Sequence, residues 1–148
     1  MTFPGRMLGI DHGLKRIGVA VCDATGLVAR EVIIIERRSK REDFEVLRQL
    51  VEEHQAVAFV VGLPNVTDAV PGQFTQADKV RNWVGYLQAA IPLPVILRDE
   101  QFSSIDAAEL AQMKGRKAQA PIDDLAARLI LQGYLDAVRE GLAPAPDI

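Results

Sequence analysis

Three carboxylates in this chain stand where an apolar run stops or a helix begins. Asp11 interrupts "LGIDHGLKRIGVAV" (residues 8–21), Glu100 follows "LPVILRD", and Asp123 comes just after "AQAPI". In open α/β sheets, sites collect beyond the carboxyl ends of strands. Asp11 and Glu100 occupy such ends, and Asp123 belongs to a helix that could pack across the sheet. Three converging carboxylates could hold one or two divalent cations. Such ions neutralise phosphate charge, activate water and stabilise the leaving oxygen of an in-line displacement. With Cys22 the single cysteine and His12 and His54 the only histidines, a zinc site of cysteine and histidine is not built. The donors are hard oxygens, which point to Mg²⁺ or Mn²⁺. Plainer readings stand beside this one. Asp11 also fits a turn former, Glu100 a solvated acid, and Asp123 with Asp124 a favourable charge at a helix N-terminus. Spacing alone leaves these open.

The elements that must position these acids are legible in the hydrophobic pattern. Residues 7–11 and 17–22 read as strands joined by a turn at "HGLKR", where Gly13 permits positive φ. "AREVIIIE" supplies a third, β-branched strand, so the three form an antiparallel meander. A helix is expected over about 40–53 with Phe44, Leu47, Leu50 and Val51 on one face. "AVAFVVGLP" (56–64) is continuously apolar, as in a strand buried on both faces. A turn-rich loop, "NVTDAVPGQ", leads to a helix over about 74–90 with Ala77, Val80, Val84 and Leu87 inward. "LPVILRDE" is a short strand, and Ser103 with Asp106 has capping-box spacing for the next helix. The last helix begins near Pro121-Ile122 with Ile122, Leu125, Ala126, Leu129, Ile130 and Gly133 inward. The order βββαβαβαα predicts one mixed α/β domain over residues 1–140, with 141–148 a loose tail.

Composition bounds the class. A chain of 148 residues, 49% hydrophobic and 25% charged, is that of an ordinary globular domain. No apolar run approaches the ~18 residues of a membrane span, and "MTFPGRMLG" has no secretory hydrophobic region. One cysteine fits a reducing cytoplasm. A net charge of −3 argues against nonspecific coating of nucleic acid. Yet basic residues cluster at Lys15-Arg16, in "RRSKR" (37–41) and in "KGRK" (114–117), each of which also fits a solvated loop or helix start.

The segments "GIDHGLKRIGVAVCD", "VVGLPN", "RDEQFSSIDAAEL" and "PIDDLAARLILQGYLD" together resemble the four blocks of the YqgF/RuvX family, in its order and spacing, over residues 8–138. The resemblance implies an RNase H-like fold: a mixed five-stranded sheet, three strands antiparallel and the others parallel, flanked by helices. It implies that Asp11, Glu100 and Asp123 ligate Mg²⁺ or Mn²⁺ for phosphodiester hydrolysis, with Gly13 matching the glycine of the family's Asp-x-Gly block. Its functional descriptions are 5′-end maturation of pre-16S rRNA and Holliday junction resolution. Nucleic-acid contacts are then expected from Gly13, Lys15, Arg16, Asn65, Lys79, Arg81, Lys114, Arg116 and Lys117.

This chain departs from the family pattern in places. Gln101 replaces the arginine of the Asp-Glu-Arg block, which removes a fixed cation. "VTDAVPGQ" lacks the usual Asp-Gly turn, and "AQAP" stands where a lysine often precedes the last aspartate. RNA is the favoured partner, in precursor ribosomal particles, with branched DNA the rival, and the chain is expected as a monomer or homodimer. Junction resolution would need the dimer, with two sites on paired strands. A nucleic-acid-binding assembly factor with little catalysis is the reading from another class. An actin-like phosphate site also starts with an Asp-x-Gly turn, but this length lacks a second lobe.

Overall fold

The computed structural model describes residues 3–64, 70–99 and 104–148, with side chains from Asp106 onward in the last stretch. Asn65, Glu100, Gln101 and the expected Ser103 cap lie outside the described residues. The strands are β1 (Met7–His12), β2 (Arg16–Cys22), β3 (Ala29–Glu36), β4 (Ala58–Leu63) and β5 (Val95–Asp99). The helices are α1 (Lys40–His54), α2 (Gln76–Ala90), α3 (Ser104–Met113) and α4 (Asp123–Arg139). The five strands lie in the order β3-β2-β1-β4-β5. β1 pairs antiparallel with β2 and β2 with β3, whereas β4 pairs parallel with β1 and β5 with β4. The meander and the crossover strands are those the sequence predicts, and β1 is central.

Alternation along β1 divides the molecule into two layers. Leu8 and Ile10 join Ile17, Val19, Phe59 and Val61 in a core covered by Phe44 and Leu47 of α1 and Val80, Trp83 and Leu87 of α2. Met7, on the other face, joins Ala20, Ala58 and Val60 beneath Ala127, Leu131, Tyr134 and Leu135 of α4. The two faces differ in residue size for a steric reason. A Cβ on Gly9 would lie 2.7 Å from Leu131 Cβ and 2.9 Å from the Ala127 carbonyl oxygen, so α4 rests almost on the strand backbone. The inward stripe of α4 is wider than the expected one: Leu125, Ala126 and Ile130 are buried as expected, Ala127, Leu131, Tyr134 and Leu135 are buried as well, and Ile122, Leu129 and Gly133 are half-buried. Residues 141–148, which the sequence pattern alone presents as a loose tail, place Ala143 and Ala145 against this second core. Tyr134 Oη donates to the Pro144 carbonyl at 2.9 Å. No described helix is long and apolar enough to cross a membrane.

Cys22 ends β2 in the α4 layer, where its Sγ accepts from the Met7 amide at 3.3 Å. Burial pushes its thiol pKa up.

The β2–β3 turn is organised by one carboxylate. Asp23 accepts from the amides of Leu27 and Val28, each at 2.8 Å, from the Thr25 amide at 3.2 Å and from the Thr25 hydroxyl. Gly26 supplies the positive φ of +72°. These donors, the Thr25 hydroxyl foremost, lower the Asp23 pKa from 3.8 to about 2. A pKa depressed by folding contributes stability above the unfolded value and loses it as pH falls through the folded one. We therefore expect Asp23→Ala to lower stability by roughly 1–2 kcal/mol at neutral pH, a modest figure because the turn is exposed. The gap from the unsubstituted chain should close between pH 3.8 and about 2, measured by urea midpoints across that range.

Candidate active site

Asp11 lies one residue from the end of β1, directly opposite Gly18 of β2. The alternation that buries Ile10 and His12 beneath α1 and α2 turns Asp11, with Gly9, toward α4. There α4 begins. A Cβ on Gly18 would stand 1.8 Å from the Asp123 carbonyl oxygen and 2.7 Å from the Asp124 amide nitrogen. The first residue of α4 thus sits on β2 at the point where a side chain is missing, beside the position Asp11 faces. Asp123 Oδ2 lies 3.3 Å from where a Cβ would stand on Gly13. Asp11 and Asp123, both half-buried, therefore share one patch bounded by Gly13 and Gly18. Among the described residues no set of three metal-ligating side chains is complete. Glu100 follows β5, the next strand but one from β1.

Gly13 is required for a different reason from the expected one. It does not adopt positive φ. Its amide donates to the Arg16 carbonyl at 2.9 Å, and a Cβ there would lie 2.8 Å from that same oxygen. Close approach, not backbone conformation, demands glycine.

The neighbouring acid has another task. Asp124 is buried and receives Arg116 as a two-pronged ion pair, Nη1 to Oδ1 at 2.7 Å and Nη2 to Oδ2 at 2.9 Å. That hydrogen bonding raises the Arg116 pKa further. Glu31 of β3 takes Lys114 at 2.9 Å and Arg128 at 3.2 Å. Burial alone would raise the Glu31 pKa, but these cations outweigh it and hold the group below its ordinary range. The α3–α4 connection is thereby tied to both β3 and α4, which fixes where α4 starts. Ile122 at its N-cap offers no side-chain bond.

The cations expected to meet nucleic acid separate into two groups. Lys114 and Arg116 are engaged by Glu31 and Asp124, Arg16 by Glu36 at 3.1 Å, and Arg81 by Asp78 at 3.5 Å. Lys15, Lys79 and Lys117 have no acidic partner among the described residues. A recess of about 490 Å³ opens beside the start of α4, lined by Ala108, Ala111, Gln112, Arg116, Lys117 and Ile122 among others. His12 turns away from Asp11, as expected of adjacent strand residues, and is 8% exposed against Trp83. Burial, then the charge of Arg37, lowers its pKa to about 4, so its ring is neutral at physiological pH. Sequence reasoning passes over Gly18, and it names the basic run 37–41 without assigning Arg37 or Lys40 a nucleic-acid contact. The signal that could have found Gly18 is a glycine inside an apolar strand, which marks close backbone approach.

Comparison with known proteins places this geometry in a lineage. The profile of the RuvX family, described as Holliday junction resolvase, matches residues 5–137. A protein of Syntrophus aciditrophicus (strain SB), named as a candidate pre-16S rRNA nuclease, is 39% identical over 143 residues, covering 95% of this chain and 94% of its own. One of Rippkaea orientalis (strain PCC 8801 / RF-1), with the same name, is 42% identical over 137 residues, covering 89% and 96%. Thermus thermophilus RuvC, solved in complex with a Holliday junction substrate, superposes with a TM-score of 0.62 at 14% identity, covering 94% of this chain and 98% of that one. At that identity the likeness shows the fold, which is RNase H-like.

The glycine contacts yield a paired expectation. Gly18→Ala should cost about 3 kcal/mol or more, because backbone at 1.8 Å cannot yield without moving α4. Gly85→Ala, on α2 with nothing within 4 Å, should instead gain roughly 0.5–1 kcal/mol. Urea unfolding of the two variants measures both.

Proposed function

The chain belongs to the RuvX family, and on that premise we propose that it is a divalent-metal-dependent nuclease acting at the 5′ end of pre-16S rRNA. The observation that carries the reading is the seating of the first α4 residue on Gly18, which brings the Asp123 carboxylate to the patch that Asp11 faces. Two half-buried carboxylates facing one patch suit a cation, and their hard oxygens favour Mg²⁺ or Mn²⁺. Asp11 and Asp123, completed by Glu100, would hold the ion. When bound, it would supply the Lewis acidity that activates water and stabilises charge on a scissile phosphodiester.

This chain's own residues do the rest. Gly13 and Gly18 keep side chains out of the patch, so a phosphate can approach. The Arg116–Asp124 pair holds the first turn of α4 in register. With His12 neutral and turned to the opposite face, no imidazole is aimed at the reacting centre, and the carboxylates carry the proton chemistry. Lys15 at the β1–β2 turn and Lys117 beside the recess are the unpaired cations nearest the elements that form the patch, and substrate contact is assigned to them. Arg16, Arg81, Lys114 and Arg116, each with an acidic partner, serve the fold first. The setting proposed is the cytoplasm, on precursor ribosomal particles. The family's description as a Holliday junction resolvase favours one second reading, cleavage of four-way DNA junctions by a dimer of this chain.

One assay separates these. Labelled pre-16S leader RNA, unstructured RNA and a four-way DNA junction are incubated with Mg²⁺, Mn²⁺ or EDTA. We expect metal-dependent cleavage of the leader, reduced by about 10²-fold or more in Asp11→Asn and in Asp123→Asn. Cutting that persists in EDTA or in Asp11→Asn overturns the carboxylate mechanism, and cleavage confined to the junction selects the second reading.

A further inference from the structure

On the sheet face opposite α4, the β1–β2 turn, the start of α1 and the first half of α2 enclose a recess of about 190 Å³. Three cations line it, Arg37, Lys40 and Lys79, and among the described residues no carboxylate does. Arg37 and Lys40 come from the entry to α1 and Lys79 from α2, so the meeting of the two segments is a product of the fold. Arg37 is fixed in place: its Nη1 donates to the Gly13 carbonyl at 2.9 Å and to the Leu14 carbonyl at 3.3 Å, bridging the turn that follows Asp11. Lys40 stands 4.8 Å over the Tyr86 ring, and Lys79 has no acidic partner among the described residues. α1 and α2 both begin at this recess, and helix N-termini favour anions.

The floor is a matched pair of rings. His12, 8% exposed, and Trp83, 2% exposed, lie with centroids 4.6 Å apart. Neither nitrogen of His12 nor Trp83 Nε1 has a hydrogen-bond partner among the described residues. Buried polar groups without a partner are costly, and both rings that carry them line the recess together with the three cations. The rim is of another kind: Leu14 is 72% and Phe74 64% exposed, apolar surface of the sort on which nucleobases rest.

We propose that this recess is a phosphate subsite for the RNA strand, taking a backbone phosphate between Arg37, Lys40 and Lys79 while the adjoining base lies on Phe74 and Leu14. Its size admits a phosphate rather than a whole nucleotide. Its position follows from β1: His12 and Asp11 are successive residues on opposite faces, so a strand crossing the β1–β2 turn reaches the subsite from the carboxylate patch. The inference rests on the nuclease reading and extends it to where the uncleaved part of the strand is held.

The test measures binding with Ca²⁺ replacing Mg²⁺, using fluorescein-labelled single-stranded RNA and the full chain. Lys40→Glu and Lys79→Glu are compared with Arg30→Glu, an exposed cation on β3 that does not line the recess. Lys40→Gln and Lys79→Gln serve as milder versions should a reversal disturb folding. We expect each reversal in the recess to weaken binding tenfold or more, and the salt dependence to become shallower by about 0.7 for each phosphate no longer neutralised. Trp83 is the single tryptophan, so its emission reports the floor directly and should change on RNA addition, and less so in the variants. Unaltered affinity in the variants, an equal loss in Arg30→Glu, or unmoved Trp83 emission overturns the subsite and leaves the nuclease reading standing. Failure of the unsubstituted chain to bind RNA at all overturns both.

Discussion

The contact on which the rest of this structure depends is backbone against backbone. α4 lies so close to β1 and β2 that Gly9 and Gly18 are the residues that can face it there. Into that layer the helix sends Leu131, Tyr134 and Leu135, and the sheet answers with Ala20 and Ala58, with Met7 and Val60 the larger side chains it contributes. The other layer inverts this, with Leu8, Ile10, Ile17 and Phe59 rising from the sheet to meet α1 and α2. A thin layer brings a helix terminus into the plane where strand side chains end; a thick one leaves a recess at its margin. The carboxylate patch and the cationic recess are consequences of the same asymmetry, expressed on opposite sides of one strand.

Charge follows the same division. Around α4 the basic residues are matched: Arg116 to Asp124, Lys114 and Arg128 to Glu31. Exposed pairs of this kind contribute little individually. The Arg116–Asp124 pair is different, being two-pronged and with Asp124 buried. Its effect is positional, since loss of Arg116 would leave a buried carboxylate unmatched at the very turn that seats Asp123. Opposite α4, no acid among the described residues lines the recess with Arg37, Lys40 and Lys79. The chain is acidic overall, yet the end of β1 meets solvent as two patches of opposite character.

Much of this is legible in the residues. The β-branched run of β3, the continuous apolar run of β4 and the three-and-four spacing of α1 and α2 each predict their element, because local period and burial agree there. Asp11 and Asp123 are legible as acids at element ends. What escapes is anything set by distance between elements. Gly18 reads as an ordinary small residue until α4 is laid upon it, and the buried face of α4 is wider than its spacing suggests because a helix so close to the sheet buries more than one narrow face. The fates of Lys114 and Arg116 are likewise unreadable, since Glu31, which restrains this loop, lies more than eighty residues earlier in the chain. Asn65 and Glu100, outside the described residues, keep the standing that sequence assigned them.

Cys22 carries a consequence of a temporal kind. Its thiol is 2% exposed, protonated by burial and bonded to the Met7 amide at the edge of the α4 layer. A thiol reagent reaches it when the packing over this core, from the second half of α4 and the 141–148 segment, opens. With one cysteine in the chain, the rate of its modification is a clock for how often this second core opens, readable without substrate, metal or any introduced label.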